Sequence, residues 1–517
     1  MSILGMPGFM APLLIPVGIW AFIYSLEGKS ARRAGEIGIV FGLSHFGLML
    51  WWLVPTISNY GRLPILAAIP VVGLLVVYLA LYTGIWALLY RLPVNLSHME
   101  RAFWGGALWA SMEWLRGTAF SGFPWGVLAL GLSDHPILIQ LADTFSIYGV
   151  SLFFFLFILL SYYFVSLVLK GIFKDALRVG LGLVFFLGIV LVYGGYRIHE
   201  MKWILASSND TICLMAVQGA IHQTHKWDPD VRDRTLKAYF ELTDAGIKGC
   251  AGENPTILAV WPETAVTAYI DHDQETLSRI SKYVKEKGIL LLFGAPSYDL
   301  LPGISRPVYY NSAYLMDKGG ELLGRYDKRH LVPFGEYMPL GPFSELARRY
   351  LPTAGDFEPG RSGGGLRAGS GLEIGVLICF ESIFSYLARE SVLKGAHLLA
   401  VITNDAWFGR SQAPFQHEAM SVFRAVETRR WVIRAANTGI SSIIDPTGTR
   451  RAATQLFVPA VIEVMGKATV VDSMFGRFGM SGFFALVLLL LGPIIGKMTL
   501  NYHPGSYRSH EHGSKDL

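Results

Sequence analysis

The 517-residue chain has little charge and almost no cysteine. Asp, Glu, Lys and Arg make up only 16% of it, and 52% is hydrophobic, too apolar a balance for a water-soluble protein of this size. Its three cysteines, Cys213, Cys250 and Cys379, lack the paired spacing of a zinc site and are too few for a disulfide framework. Packing or loop roles are expected for Cys213, in a strand-like run, and for Cys250, beside Gly249 and Gly252. There is no polybasic tract, so nucleic acid is not an expected partner, and the net charge of +5 is explained by membrane topology. The N-terminus lacks the charged segment and cleavage site of a secretory signal. No internal repeat is found, and the polar tail 503–517 reads as disordered.

What the chain has instead is long apolar runs, with a mean hydropathy of +0.41. Six precede the polar part, at about 7–26, 34–54, 63–90, 102–120, 146–169 and 179–196, and a seventh follows at 478–496. Each is near the ~20 residues a bilayer span requires. Lys29, Arg32 and Arg33, then Arg91 and Arg101, then Lys170, Lys174 and Arg178 fall in alternate loops, which marks those loops as cytoplasmic. The expected organisation is a helical membrane domain over 1–200, an extracytoplasmic domain over 207–465, a last span and a cytoplasmic tail over 498–517. The same count leaves almost no chain before the first span, as in a short variant or one missing an upstream helix.

Near the end of the fourth run, Glu113 and Arg116 stand three apart on one helical face, followed by the aromatic turn Gly122-Phe123-Pro124-Trp125. These residues read either as a snorkelling ion pair with an interfacial anchor, or as lipid headgroup and acyl-chain contacts.

Between 207 and 465, strand-like runs at 211–218, 256–262, 289–295, 308–316, 374–379, 397–403, 431–436 and 440–445 alternate with amphipathic helices near 229–247, 274–287, 383–394 and 415–429. This alternation predicts a mixed α/β sandwich with helices over its sheets. Three stretches carry chemistry. The run Gly375 to Glu381 reads as a buried strand ending on Cys379, at a corner where a following helix N-terminus favours a thiolate. Pro262 stops another strand and presents Glu263 at its end. Lys328 lies in a mixed segment without clear period, Tyr326 to Glu336, typical of a site-building loop. A base, a cation for the oxyanion and a sulfur nucleophile are what thiol-based acyl transfer requires.

The runs WPETA (from Trp261), YDKRHLVPFGEYMPL (from Tyr326), LICFES (from Leu377) and NDAWFG (from Asn404) together resemble the nitrilase superfamily, and within it the membrane branch of bacterial apolipoprotein N-acyltransferases. Tyr82-Thr83-Gly84, Glu113 to Trp125, Val217-Gln218-Gly219 and Lys226-Trp227-Asp228 extend the similarity over nearly the whole chain. The resemblance implies a multi-pass α-helical membrane domain joined to a nitrilase-like αββα sandwich. It places a catalytic triad on Glu263, Lys328 and Cys379, with Glu336 and Glu381 supporting. It further implies a phospholipid acyl donor, expected to be phosphatidylethanolamine, a diacylglyceryl apolipoprotein as acceptor, and neither metal nor cofactor. Family members commonly have tyrosine where this chain has Phe380, which leaves an aromatic wall and a backbone N–H. They also typically carry one further N-terminal membrane helix. Trp227, Trp125 and the apolar part of 331–343 are candidate acyl-chain walls, and nothing in the sequence demands more than a monomer. A membrane-tethered nitrilase-type amidase, passing the acyl group to water, is the alternative reading.

Overall fold

A computed structural model describes residues 2–500 apart from 10, 62, 209–210, 223–228, 251, 253–254, 304–305, 340–355, 362, 370 and 469. Trp227, residues 340–343 of the expected acyl-chain wall and residues 501–517 of the tail therefore lie outside the described residues.

All seven apolar runs form helices. Four are long and apolar enough to cross a membrane: Ile65–Arg91, Ala142–Leu169, Phe173–Ser207 and the C-terminal Ser481–Thr499. A fifth results if Ala31–Met49 and Leu53–Tyr60, which meet at a 51° bend, form one broken span. Leu14–Leu26 has only 13 residues. His98–Thr118 is interrupted by Glu100, Arg101, Glu113 and Arg116. With no hydrophobic force to drive helices together inside lipid, close packing depends on small residues. Gly42 is one: a Cβ there would lie 2.2 Å from Thr83 Oγ1 of the facing helix.

Among the described residues, the polar part builds twelve strands. β1 (Thr211–Gln218), β2 (Thr256–Val260), β3 (Leu290–Asp299), β4 (Val308–Met316), β5 (Leu322–Asp327) and β12 (Ala460–Lys467) form one sheet in the order β12-β1-β2-β3-β4-β5. β6 (Gly365–Arg367), β7 (Glu373–Ile378), β8 (Leu398–Thr403), β9 (Trp431–Ala436), β10 (Ser442–Ile444) and β11 (Arg450–Ala453) form the other, in the order β11-β10-β9-β8-β7-β6. β1-β2-β3 and β7-β8-β9 are parallel. Parallel neighbours need crossovers, and helices Pro229–Gly249, Gln274–Lys287, Ser385–Leu393 and Ala413–Thr428 supply them.

The sheets face each other through Leu214, Ala216, Leu258, Val260 and Leu292 on one side and Val376, Ile378, Ala400, Ile402 and Ile433 on the other. The outer face of the first sheet packs under Leu236, Tyr239, Ile280 and Val284 of its helices. Being covered on both sides, the central strands read as continuous apolar runs, which is why all eight expected strands are present. The four others, β5, β6, β11 and β12, lie towards the sheet edges, and their partial exposure removes the apolar signal.

The helix layer over the second sheet is shared with the membrane domain. Every residue of Ala413–Thr428 except Phe415 is buried. Arg429 Nη2 pairs with Asp143 Oδ2 at 2.6 Å, and Glu427 Oε1 accepts from Ser146 Oγ at 2.8 Å and from the Ile147 N–H at 2.9 Å. These contacts fix the sandwich against the start of helix Ala142–Leu169.

One expectation is corrected. Cys213 and Cys250 are not independent packing residues; they form a disulfide. β1 carries Cys213 on its outer face, and helix Pro229–Gly249 ends above it, so residues 37 apart in sequence meet. Spacing in a chain with so few cysteines gives no sign of this.

Candidate active site

Cys379 follows β7 directly, in a left-handed conformation (φ 51°) at the start of the short turn Cys379–Ile383. Such a conformation in a non-glycine residue is strained and is kept only where the surroundings over-determine it. Here they do. The Cys379 carbonyl lies 3.1 Å from His417 Nε2 and accepts from Ser382 Oγ at 2.8 Å. His417 Nδ1 is in turn 2.9 Å from Asp405 Oδ1, and Arg434 Nη2 donates to Asp405 Oδ2 at 2.7 Å. Thr264 and Asp405, beside the ends of β2 and β8, are also left-handed, so three strained residues cluster at one end of the sandwich.

Glu263 follows β2 through Trp261 and Pro262. It lies at the strand end as expected, but it is buried rather than presented to solvent. The segment runs close beside β3, where Gly294 donates its N–H to the Pro262 carbonyl at 3.2 Å, and a Cβ on Gly294 would fall 2.7 Å from Glu263 Cα. Both Glu263 oxygens are engaged, Oε1 by Asn311 Nδ2 at 2.7 Å and Oε2 by the Asn404 N–H at 2.9 Å.

Lys328 follows β5 and is 1% exposed. Its Nζ donates to Glu336 Oε1 at 3.0 Å and pairs with Oε2 at 2.9 Å. Glu336 also accepts from Asn311 Nδ2 at 3.0 Å and from the Val332 N–H at 2.8 Å. Asn311, on β4, thus joins the two carboxylates with one amide. The sequence reading missed it, since a lone Asn inside a strand carries no motif; its own backbone carbonyl, accepting the Lys328 N–H at 2.8 Å, ties it to the lysine as well.

The charges interact. Burial opposes the Lys328 ammonium, but Glu336, Cys379 and Glu263 outweigh it and push its pKa up. Burial, followed by Glu263, pushes the Cys379 thiol up, and Lys328 only partly offsets this. No regular helix starts at Cys379, only a single tight turn, so the helix N-terminus expected to favour a thiolate is not there.

Glu381 is fully buried and accepts from the N–H groups of Ile378 (2.8 Å), Arg329 (2.7 Å) and His330 (3.1 Å) and from Tyr326 Oη (3.0 Å). It joins the thiol corner to the backbone just after Lys328 instead of touching the lysine side chain. Phe380 is half-buried against Phe384 and His330. A cavity of about 440 Å³ opens beside this loop, lined by Arg329, His330, Leu331 and Tyr337 and by Ser121 of the membrane domain.

Glu113 and Arg116 are brought together with Trp125, but facing protein. Glu113 Oε1 accepts from Trp109 Nε1 at 3.0 Å and from the Leu128 N–H at 2.8 Å; Arg116 donates to the carbonyls of Phe123 (3.1 Å) and Trp125. Both side chains thereby hold the loop 119–132. Trp125 is buried, donates from Nε1 to Gln416 Oε1 at 2.6 Å and packs on Trp52, Phe408 and His417. Thr56 Oγ1 and Tyr60 Oη donate to the carbonyls of Trp407 (2.8 Å) and Ala406 (3.2 Å). The stretch Asn404 to Phe408 thus touches Glu263 at one end and the membrane helices at the other. Among the described residues, no three His, Cys, Asp or Glu side chains are grouped as metal ligands.

Residues 214–464 match the Carbon-nitrogen hydrolase family, and residues 1–160 match the Apolipoprotein N-acyltransferase N-terminal domain. The chain is 36% identical over 480 residues to the apolipoprotein N-acyltransferase of Geobacter metallireducens, covering 91% of this chain and 89% of that one. It is 33% identical over 453 residues to that of Methylococcus capsulatus, covering 86% and 84%. Among solved structures, the Saccharomyces cerevisiae nitrilase-superfamily protein Nit3 matches 53% of this chain and 96% of its own, with 19% identity and a TM-score of 0.40. With both halves matched in order and a relative similar over nearly its full length, the chain belongs to the apolipoprotein N-acyltransferase family.

Proposed function

We propose that this protein acylates the N-terminal amine of diacylglyceryl apolipoproteins, drawing the acyl chain from a membrane phospholipid, with Glu263, Lys328 and Cys379 as the reacting groups. The observation that carries the reading is the hydrogen-bonded network in which Asn311 joins Glu263 to the Glu336 that holds Lys328, and Glu381 ties the Cys379 corner to the backbone just after Lys328, in a sandwich clamped onto membrane helices.

In the first step Sγ attacks the sn-1 ester carbonyl while Glu263 takes the thiol proton. Lys328 and the backbone N–H of Phe380 face the oxyanion. The C–O bond breaks, the lysophospholipid oxygen takes the proton from Glu263, and a thioester remains. In the second step the acceptor α-amine attacks the thioester, Glu263 takes a proton from nitrogen, and the C–S bond breaks. That proton returns to sulfur, giving an amide and a regenerated thiol. A raised thiol pKa suits this scheme, because the sulfur becomes nucleophilic only with a carboxylate ready to receive its proton. Phosphatidylethanolamine is the proposed donor.

Location follows from the substrates. Each buried CH₂ is worth about 0.8 kcal/mol, so two-tailed lipids do not leave the bilayer and the site has to sit at its surface. The extracytoplasmic side of the bacterial inner membrane is proposed. It is supported by the basic residues of alternate loops, which gather at the far end of the bundle, and by the Cys213–Cys250 disulfide, which suits an oxidising compartment.

Incubating the purified protein with labelled phospholipid and analysing it by mass spectrometry is the test. An acyl mass on Cys379 that an amine discharges to an amide supports the reading. No adduct, or an adduct equally present in Cys379→Ala, removes it; discharge to water alone makes the protein a hydrolase.

A further inference from the structure

At the end of the helical domain away from the sandwich is a cavity of about 340 Å³, lined by Lys29, Ser30, Arg91, Leu92, Val94 and Arg101. Helix Ile65–Arg91 separates it from the Tyr60–Ala406 contact beside the active site, and 27 helical residues span about 40 Å. The cavity is thus too distant to hold a donor lipid for Cys379. We propose that it binds the phosphate of an anionic phospholipid headgroup, in the leaflet opposite the catalytic domain.

Three cations line it, and neighbouring carbonyls rather than carboxylates hold the two arginines. Arg91 Nε donates to the Lys29 carbonyl at 3.2 Å, and Arg101 Nη2 donates to the carbonyls of Pro93 (3.1 Å) and Val94 (3.3 Å). Carbonyls orient these groups without neutralising them. Among the described residues none of the three forms an ion pair, whereas nearby cations do: Arg32 and Arg33 with Glu36, and Lys497 with Glu100. The carboxylate of Glu27, two residues before Lys29, is engaged by Tyr162 Oη at 2.6 Å, and that of Glu100, next to Arg101, by Lys497.

Cytoplasmic loops carry lysine and arginine for topology alone, but topology does not require those charges to share one cavity. A diester phosphate would satisfy three unpaired cations at once, and basic pockets between membrane helices suit anionic headgroups. The rim favours a lipid over free phosphate: Leu92 and Val94 beside the cations are 48% and 83% exposed, leaving apolar surface for the glycerol and upper acyl chain.

Native mass spectrometry of the full chain, given equal phosphatidylglycerol and phosphatidylcholine, reads this directly. Retention of phosphatidylglycerol in preference, about fivefold weaker in Lys29→Gln and again in Arg91→Gln but held by Arg91→Lys, is the expected result. Thermal melting without lipid checks that the variants are folded, and Lys29→Glu at an exposed position tests the charge with least risk to packing. Equal retention of both lipids, or unchanged phosphatidylglycerol binding in Lys29→Glu, overturns the proposal. Displacement of the lipid by excess inorganic phosphate overturns the lipid assignment in favour of a free-phosphate site.

Discussion

Lys328 Nζ sits 2.9 Å from Glu336 Oε2, in a pair that leaves the lysine 1% exposed and the glutamate at the edge of the site. A buried ammonium that loses its carboxylate is costly and moves. Glu336→Gln keeps the shape and removes the charge, so Lys328 is drawn towards Glu263. Cys379 acylation by labelled phospholipid is expected to slow about 10²-fold, the size of effect that a misplacement of about 1 Å produces. A wild-type rate would show that Glu336 does not position Lys328.

Asn311 gives a sharper test of the same geometry. Asn311→Asp puts a third carboxylate between Glu263 and Glu336, where the structure has a donor to both. Like charges at this distance raise one another's pKa. Acyl-adduct formation is expected to fall about 10²-fold near neutrality and to recover partly as pH drops and one carboxyl protonates again. Asn311→Ser, with a donor but no charge, should lose activity without gaining that pH dependence. A pH–rate profile for each variant distinguishes them.

The Cys213–Cys250 bridge is expected to stabilise the sandwich without taking part in the chemistry. It closes a loop between residues 37 apart, and losing such a bridge costs about 2–4 kcal/mol. Cys213→Ser should melt lower than wild type, and reductant should lower the wild-type midpoint while leaving the variant's unchanged. Acylation of Cys379 below the melting range should be unaffected. A wild-type midpoint indifferent to reductant would rule the bridge out.

His330 supplies a pH dependence. Its Nδ1 lies 2.8 Å from Tyr386 Oη, and burial, reinforced by Lys328, lowers its pKa from 6.5 to about 4, against smaller pulls upwards from the Ser121 backbone and then Glu336. Between those values the unfolded chain binds a proton that the native protein does not, so stability rises with pH across the range and is lost as pH falls through it. His330→Gln should flatten the dependence of melting temperature on pH between about 6.5 and 4. An unchanged slope would mean that other groups control acid stability.

Some of this was legible in the chain. The eight inner strands could be read because burial on both faces writes an unbroken apolar run, and Glu263, Lys328 and Cys379 stood out because each falls at or just past a strand end in a distinctive motif. β5, β6, β11 and β12 could not, since edge strands alternate or shorten. Glu113 and Arg116 were visible as charges in an apolar helix, but their partners were not. A charge beside lipid and a charge gripping a backbone loop look the same in one dimension.

By itself, then, the sequence determined what depends on neighbours along the chain: apolar runs of membrane length, the alternation of strands and helices, and local motifs. The tertiary structure decided what depends on residues far apart in the chain. It put Asn311 between two carboxylates, brought Cys213 against Cys250, set His417 behind the Cys379 carbonyl and docked Trp125 on Gln416. Those contacts arise from how two sheets and a helical bundle stack, and packing over such sequence distances leaves no periodicity in the chain to be read.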